Sequence, residues 1–171
     1  ENLLTDIHND FQQLPNPSQY ILTTAVFASK TQVDNFTQAG GNWQTVANAV
    51  TSVDLMAYDF HGQFDVGGGA SSITNFLSNQ SVAATDPLGS SDFSVENAVA
   101  AYEAAGFRAD QIVVGIPAYT RMEAGTGETD QNHGLFVPLA GDQPAGEYGA
   151  GVTDYKCLIN QTYCNNYTLP A

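Results

Sequence analysis

The chain is poor in positive charge: four Lys and Arg stand against eighteen Asp and Glu, a formal net charge of -14. So acidic a chain repels phosphate backbones and anionic lipid headgroups, which excludes nucleic acid and the membrane surface as partners. No apolar run approaches the roughly 20 residues needed to span a bilayer. No charged-then-apolar leader precedes Glu1, which predicts a chain whose targeting signal has been removed. Cysteine is nearly absent, with only Cys157 and Cys164 present. Two thiols without a nearby His cluster cannot build a zinc site, and no Cys-x-x-Cys spacing occurs, so neither a metal nor a cofactor is expected. A local Cys157–Cys164 disulfide is the favoured reading, over free thiols in a reducing compartment or bonds to segments outside this chain. Charged residues make up only 13% of the chain, amid abundant Ser, Thr, Asn and Gln. That texture is typical of secreted proteins, whose partners are often neutral polymers such as sugars.

What is present is enough for a core: 43% hydrophobic and 11% aromatic residues over 171 positions. Acceptor sequons begin at Asn35, Asn79, Asn160 and Asn166, marking candidate glycosylation sites, although so many Asn, Ser and Thr give some by chance. The stretch Val53-Asp54-Leu55-Met56-Ala57-Tyr58-Asp59-Phe60-His61-Gly62 organises the rest. Val53, Leu55 and Met56 suit a strand covered on both faces, and Tyr58, Asp59 and His61 follow where such a strand delivers polar groups to a site. Gln111-Ile112-Val113-Val114-Gly115-Ile116-Pro117-Ala118-Tyr119-Thr120-Arg121 repeats the design, ending in Tyr119 and Arg121.

In chain order, Leu3, Leu4, Ile7, Phe11 and Leu14 predict an amphipathic helix over residues 2–14, stopped by Pro15. Residues 20–27 read as a strand, and Trp43, Val46, Ala47 and Val50 as a short helix with Trp43 in the core. Residues 60–93 show little periodicity, and so long a loop in a compact domain is usually functional. Ser94 is an N-cap for a helix carrying Val95, Ala98, Val99 and Tyr102, with Gly106 as its stop. Strands 20–27, 53–58 and 111–118 are expected side by side, parallel and in that order. Beyond Arg121 only Gly134-Leu135-Phe136-Val137 and Gly151-Val152-Thr153-Asp154-Tyr155-Lys156-Cys157 look strand-like, within a small α+β excursion. Three such strands with helices on one side leave two edges and one face uncovered.

At Met56-Ala57-Tyr58-Asp59 and Gly115-Ile116-Pro117-Ala118-Tyr119-Thr120-Arg121 the chain resembles the family 18 glycoside hydrolases, the chitinases and their lectin-like relatives. Leu22-Thr23-Thr24-Ala25-Val26 is similar to that family's fifth barrel strand, and Gly151-Val152-Thr153-Asp154-Tyr155 to part of its insertion domain. The resemblance implies an α/β fold, a partial (β/α)8 TIM barrel of strands 5 to 7 over residues 1–121, with an α+β insertion-domain segment over 122–171. Barrel strands 1 to 4 and 8 would then lie elsewhere, and with them the Asp-x-x-Asp-x-Asp-x-Glu motif whose Glu is the general acid, and a Trp that floors the sugar site. A companion polypeptide segment carrying strands 1 to 4 is therefore expected. Two departures stand out: Thr120 where Gly is usual, and Phe64 where Trp is usual.

In this family the substrate's own 2-acetamido oxygen attacks the anomeric carbon, so the protein must stabilise an oxazolinium ion without supplying a nucleophile. Tyr58 and Asp59 match the positions that do so. Met56, Phe64, Tyr119 and Arg121 match positions that face the sugar, so the implied ligand is chitin or an N-acetylglucosamine oligosaccharide. All but Tyr119 have a structural alternative: Tyr58 capping a barrel core, Asp59 in an internal hydrogen bond, Arg121 in a buried ion pair, Met56 as core and Phe64 as a loop plug. His61 reads as a hydrogen-bonding loop residue. The two functional expectations are one part of a secreted chitinase, inactive alone, or a non-hydrolytic chitin-binding relative.

Overall fold

Val53 and Leu55 are 0% and 1% exposed, and their alternation with half-buried Asp54 and Met56 sets which face of the central strand is covered. The computed structural model of the protein describes residues 1–88, 92–127 and 133–160. Contacts divide the chain into two units, the first drawn from residues 1–57 and 91–115, the second from 58–90 and 116–171. The first unit runs α1 (Asn2–Gln12), β1 (Thr23–Phe27), α2 (Lys30–Gln38), α3 (Trp43–Ala49), β2 (Ser52–Met56), α4 (Val95–Ala104) and β3 (Ile112–Val114). The second contains β4 (Tyr119–Arg121), β5 (Ala145–Gly146), β6 (Gly149–Ala150), β7 (Val152–Asp154) and α5 (Tyr155–Ile159).

In the first unit β1, β2 and β3 are parallel and adjacent in the expected order, with Val26 beside Leu55 and Leu55 beside Val114. One face is packed by helices. Tyr102 of α4 is 1% exposed and its hydroxyl donates to the Phe27 carbonyl at 3.0 Å. Burial pushes that hydroxyl's pKa up to about 12. Trp43 stacks near Phe36, Tyr102 and Phe107, and its indole N–H donates to the Val33 carbonyl at 2.9 Å. Gln111, buried, donates to the Ala47 and Val50 carbonyls and closes the loop before β2. The other face is open: Phe27 is 62% and Val113 51% exposed. Ser94 caps α4 by accepting from the Asn97 N–H, and Gly106, at φ +109°, follows its end.

Several expectations change. A helix, α2, fills residues 30–38, where the apolar spacing marks no element. Its apolar stripe is only Val33 and Phe36, and its start is secured from afar. Asp92 accepts from the Lys30 and Thr31 N–H groups and from the Ser29 hydroxyl, which itself caps the Gln32 N–H. The strand expected over 111–118 ends at Val114: Gly115 makes one more bond, to the Leu55 carbonyl, and Pro117 has no N–H to continue. Tyr119 and Arg121 therefore stand in a separate strand, β4, antiparallel to β7. Residues 134–137 form no strand, since Phe136 turns to φ +58°, and Cys157 lies in α5 rather than in a loop.

The second unit is knitted by hydrogen bonds more than by regular structure. Thr74 N–H donates to the Val137 carbonyl and its hydroxyl to the Gly134 carbonyl at 2.6 Å, while Phe136 N–H returns to Thr74. Single bridges join Ile73 to Pro138 and Gly125 to Leu139. Gln143 clamps Ala124 from both sides, accepting from its N–H and donating to its carbonyl. No helix among the described residues is long and apolar enough to cross a membrane.

Candidate active site

Asp59 has a left-handed backbone, φ +58°, sparsely populated for a non-glycine residue and least costly for Asp and Asn. Its carboxylate receives three hydrogen bonds: Oδ1 from the Tyr119 hydroxyl at 2.7 Å and from Arg121 Nε at 2.8 Å, and Oδ2 from Arg121 Nη2 at 2.8 Å. The guanidinium fork thus grips both oxygens, the geometry in which an Arg–carboxylate pair is strongest. β4 makes this possible by pointing Tyr119 and Arg121, two residues apart, to one side of the strand.

The pair is partly buried, with the Arg121 side chain 19% and the Asp59 side chain 34% exposed. The Arg121 hydrogen bonds, helped by Tyr119, outweigh burial and hold the Asp59 carboxyl below its ordinary range, so it is ionised at neutral pH. The same bonds raise Arg121. Burial, reinforced by the adjacent Asp59 charge, pushes the Tyr119 hydroxyl up to about 12, so it stays a neutral donor. The site is a fixed anion with two fixed donors.

Aromatic rings frame it. Tyr58 meets Tyr119 edge-on, centroids 6.2 Å apart, and Arg121 lies 5.5 Å from the Tyr119 ring centroid and 5.6 Å from that of Phe64. Phe64 is 53% exposed, offering its ring to solvent while resting on the guanidinium. Gly62 lets it approach, because a Cβ there would lie 2.8 Å from the Phe64 ring. In the same turn, Asp65 Oδ2 pairs with His61 Nδ1 at 3.0 Å and accepts from the Gly62 N–H. Just past β4, the Met122 N–H donates to the Gly151 carbonyl at 2.7 Å, where Gly151, at φ +70°, permits the β6–β7 turn to press close. A cleft of about 490 Å³ beside β4 is lined by Phe76, Ile116, Tyr119, Arg121, Tyr155 and Leu158 among others.

Of the residues singled out in the sequence, Tyr58, Asp59, Phe64, Tyr119 and Arg121 are thus brought together. Met56 ends β2 in the first unit, half-buried and paired with Phe27. His61 is 6% exposed and hydrogen-bonded within its loop. Asn35 is exposed on α2, Asn160 is exposed just after α5 and Asn79 is half-buried in a loop; Asn166 lies outside the described residues. Cys157 is fully buried, and Cys164 lies outside the described residues. Sequence reasoning missed Asp65, Asn75, Asp86 and Glu123. Only Asp65 carried a local signal, the i, i+4 spacing from His61; the others meet across separations that no local pattern marks.

A family model, Glycosyl hydrolases family 18, matches residues 1–169. The chain is 28% identical over 149 residues to chitotriosidase-1 of Mus musculus, spanning 85% of this chain and 30% of that protein. Among solved structures it is similar to the immunomodulatory active chitinase of Trichuris suis, with a TM-score of 0.74 and 25% identity over 94% of this chain and 42% of that one. It shares a fold with chitinase ChiA74 of Bacillus thuringiensis, with a TM-score of 0.74, 24% identity, and 91% of this chain against 25% of that one. A Group II chitinase catalytic domain of Ostrinia furnacalis, solved with penta-N-acetylchitooctaose, gives a TM-score of 0.72 at 21% identity over 99% of this chain and 40% of that one. The chain therefore spans less than half the length of each of these relatives, and it belongs to family 18 of the glycosyl hydrolases.

Proposed function

We propose that this chain supplies the oxazolinium-stabilising half of a chitin-hydrolysing site, acting through a substrate-assisted, retaining mechanism on β-1,4-N-acetylglucosaminide bonds. The observation that carries the reading is the ionised Asp59 carboxylate, clamped by Arg121 and Tyr119 with Tyr58 packed beside it. A carboxylate already fixed by protein donors needs no reorganisation when positive charge develops nearby, which is the form of preorganisation that stabilises a transition state. In the proposed reaction the acetamido oxygen of the bound sugar attacks its own anomeric carbon as the leaving oxygen takes a proton. Asp59 faces the resulting cation, and the Tyr58 hydroxyl orients the acetamido group. Water then opens the oxazolinium ion with net retention. Phe64, resting on Arg121, provides a ring face for a sugar, and Met56 is assigned to the same substrate-facing set.

The proton donor is assigned to a Glu on a companion segment that also carries barrel strands 1 to 4. The exposed sheet face at Phe27 and Val113, and the partial coverage of each relative, support a larger assembly. Without that acid the rate would fall by roughly 10² to 10⁴, so the chain is not expected to be active alone. Residues 1–121 are assigned to the barrel and 122–171 to the insertion domain. Export from the cell, a Cys157–Cys164 disulfide and glycans on exposed sequons belong to the same proposal. A non-catalytic chitin-binding relative could keep the Asp59 cluster and differ only at the acid position.

Turnover and binding of chitooligosaccharides, measured side by side in the assembled protein, separate these readings. Tyr58→Phe should lower turnover by a factor of ten or more while leaving the unfolding midpoint nearly unchanged. Equal loss of stability and turnover would reassign Tyr58 to the core. Oligosaccharide binding without any hydrolysis in the wild type would favour the lectin-like reading.

A further inference from the structure

Glu123 lies two residues beyond Arg121, and the reaction proposed above makes no use of it. Its Oε2 accepts the Asn75 N–H at 3.0 Å, across 48 residues of chain. Its Oε1 is buried and has no hydrogen-bond partner among the described residues. Each end of this link is anchored independently: Ala124 is clamped by Gln143, and Thr74 is bonded to the segment 134–137. Asn75 is itself buried and donates through Nδ2 to the buried Asp86 carboxylate at 3.1 Å.

The charges around Glu123 are one-sided. The 63–65 turn presents Asp65, whose charge acts on Glu123 directly, and Asp65 is itself paired with His61. Asp86 adds a second carboxylate, held by the Asn75 side chain whose backbone N–H meets Glu123. Arg121, the nearest cation to it in sequence, is committed to Asp59. A carboxylate with one oxygen buried and no donor or cation to meet it is costly, whereas a neutral carboxyl in the same place is far less so.

We propose that Glu123 is a proton-operated clasp, which when neutral fastens the Asn75 segment to the end of the strand presenting Arg121, and which loosens when it ionises and turns to water. Glu123 is thus a positioning residue and touches no reacting atom. Burial raises its pKa from the ordinary 4.5 to about 7, against the Asn75 N–H bond, which lowers it, and with a smaller push from the Asp65 charge. The sign follows from linkage: the folded state holds the proton more tightly than the unfolded chain, so stability falls as pH rises between the two values and levels off above about 7.

The test needs no substrate, so its failure would leave the chitin reading untouched. In the full chain labelled with ¹³C-carboxyl glutamate, the resonance missing from Glu123→Gln should titrate with a midpoint near 7. In the wild type, hydrogen exchange at the Asn75 N–H should accelerate above that pH more steeply than base catalysis alone requires. The Gln variant, which cannot ionise, should lose that excess while amides elsewhere keep theirs. A midpoint in the ordinary carboxyl range, or Asn75 exchange that follows base catalysis alone throughout, overturns the proposal. Should Glu123→Gln fail to fold, the wild-type exchange profile decides by itself.

Discussion

Each of the two units is held together internally by a different kind of interaction. In the first, Val53, Leu55, Ala98 and Tyr102 are almost wholly buried and repeat at strand and helix spacing, so the hydrophobic effect both selects the elements and packs them. In the second, regular structure is short, and the long-range links are polar: Thr74 to residues 134–137, Gln143 to Ala124, Asp59 to Tyr119 and Arg121. A packed face tolerates little change in volume, whereas a polar mesh tolerates little change in charge or donor count. The site is in the second kind of fabric, where directional bonds can aim a carboxylate.

The comparison can be broken by substitution. The largest effect is expected from Leu55→Ala, which removes a fully buried side chain and should cost about 2–5 kcal/mol in chemical denaturation. A loss well under that range would mean that the first unit does not rest on its packed face. Next comes Arg121→Ala, expected to cost about 1.5–3 kcal/mol for the loss of charge-assisted bonds. A double-mutant cycle with Asp59→Asn should return a coupling of similar order, and additive losses would deny that the two act as a pair. Arg121→Lys should rescue only partly, since an ammonium cannot grip both oxygens.

Acid should reach the polar mesh too. Arg121 hydrogen bonds hold the Asp59 carboxyl below the ordinary 3.8. The stability contributed by Asp59 is therefore complete above that value and fades as pH falls through its lower folded value. The pH-dependence of unfolding measured for wild type and Asp59→Asn checks this: a Asn variant as acid-sensitive as the wild type would exclude Asp59 as a source. The smallest effect is assigned to Phe64→Ala, about 0.5–1 kcal/mol for an exposed ring over a cation. A larger loss would show Phe64 to be a structural plug of the loop.

The same contrast explains what could be read from the chain alone. The parallel order of β1, β2 and β3 was legible because apolar runs of strand length alternate with a helical pattern bounded by Ser94 and Gly106. Tyr58, Asp59, Tyr119 and Arg121 were legible as motifs but not as a hydrogen-bonded set, because 60 residues separate Asp59 from Tyr119. The separate strand β4 was hidden because its partner β7 comes 31 residues after Arg121, at Val152. Glu123 carries no mark in the sequence, since nothing near it announces a buried carboxyl oxygen. Helix α2 escaped because Lys30, Thr31, Gln32 and Asn35 mask a two-residue stripe.

The cap that Asp92 places on α2 also bears on the order in which the chain can fold during synthesis. The two groups lie 62 residues apart, an interval that a ribosome adding about 5–20 residues per second crosses in roughly 3–12 s. Until then the first turn of α2 has only Ser29 to meet its N–H groups, and its stripe of Val33 and Phe36 is too narrow to hold a nine-residue helix by itself. Helix α2 should therefore be a late element, frayed in any nascent chain that stops short of residue 92 and consolidated when α4, which follows that residue, docks alongside it.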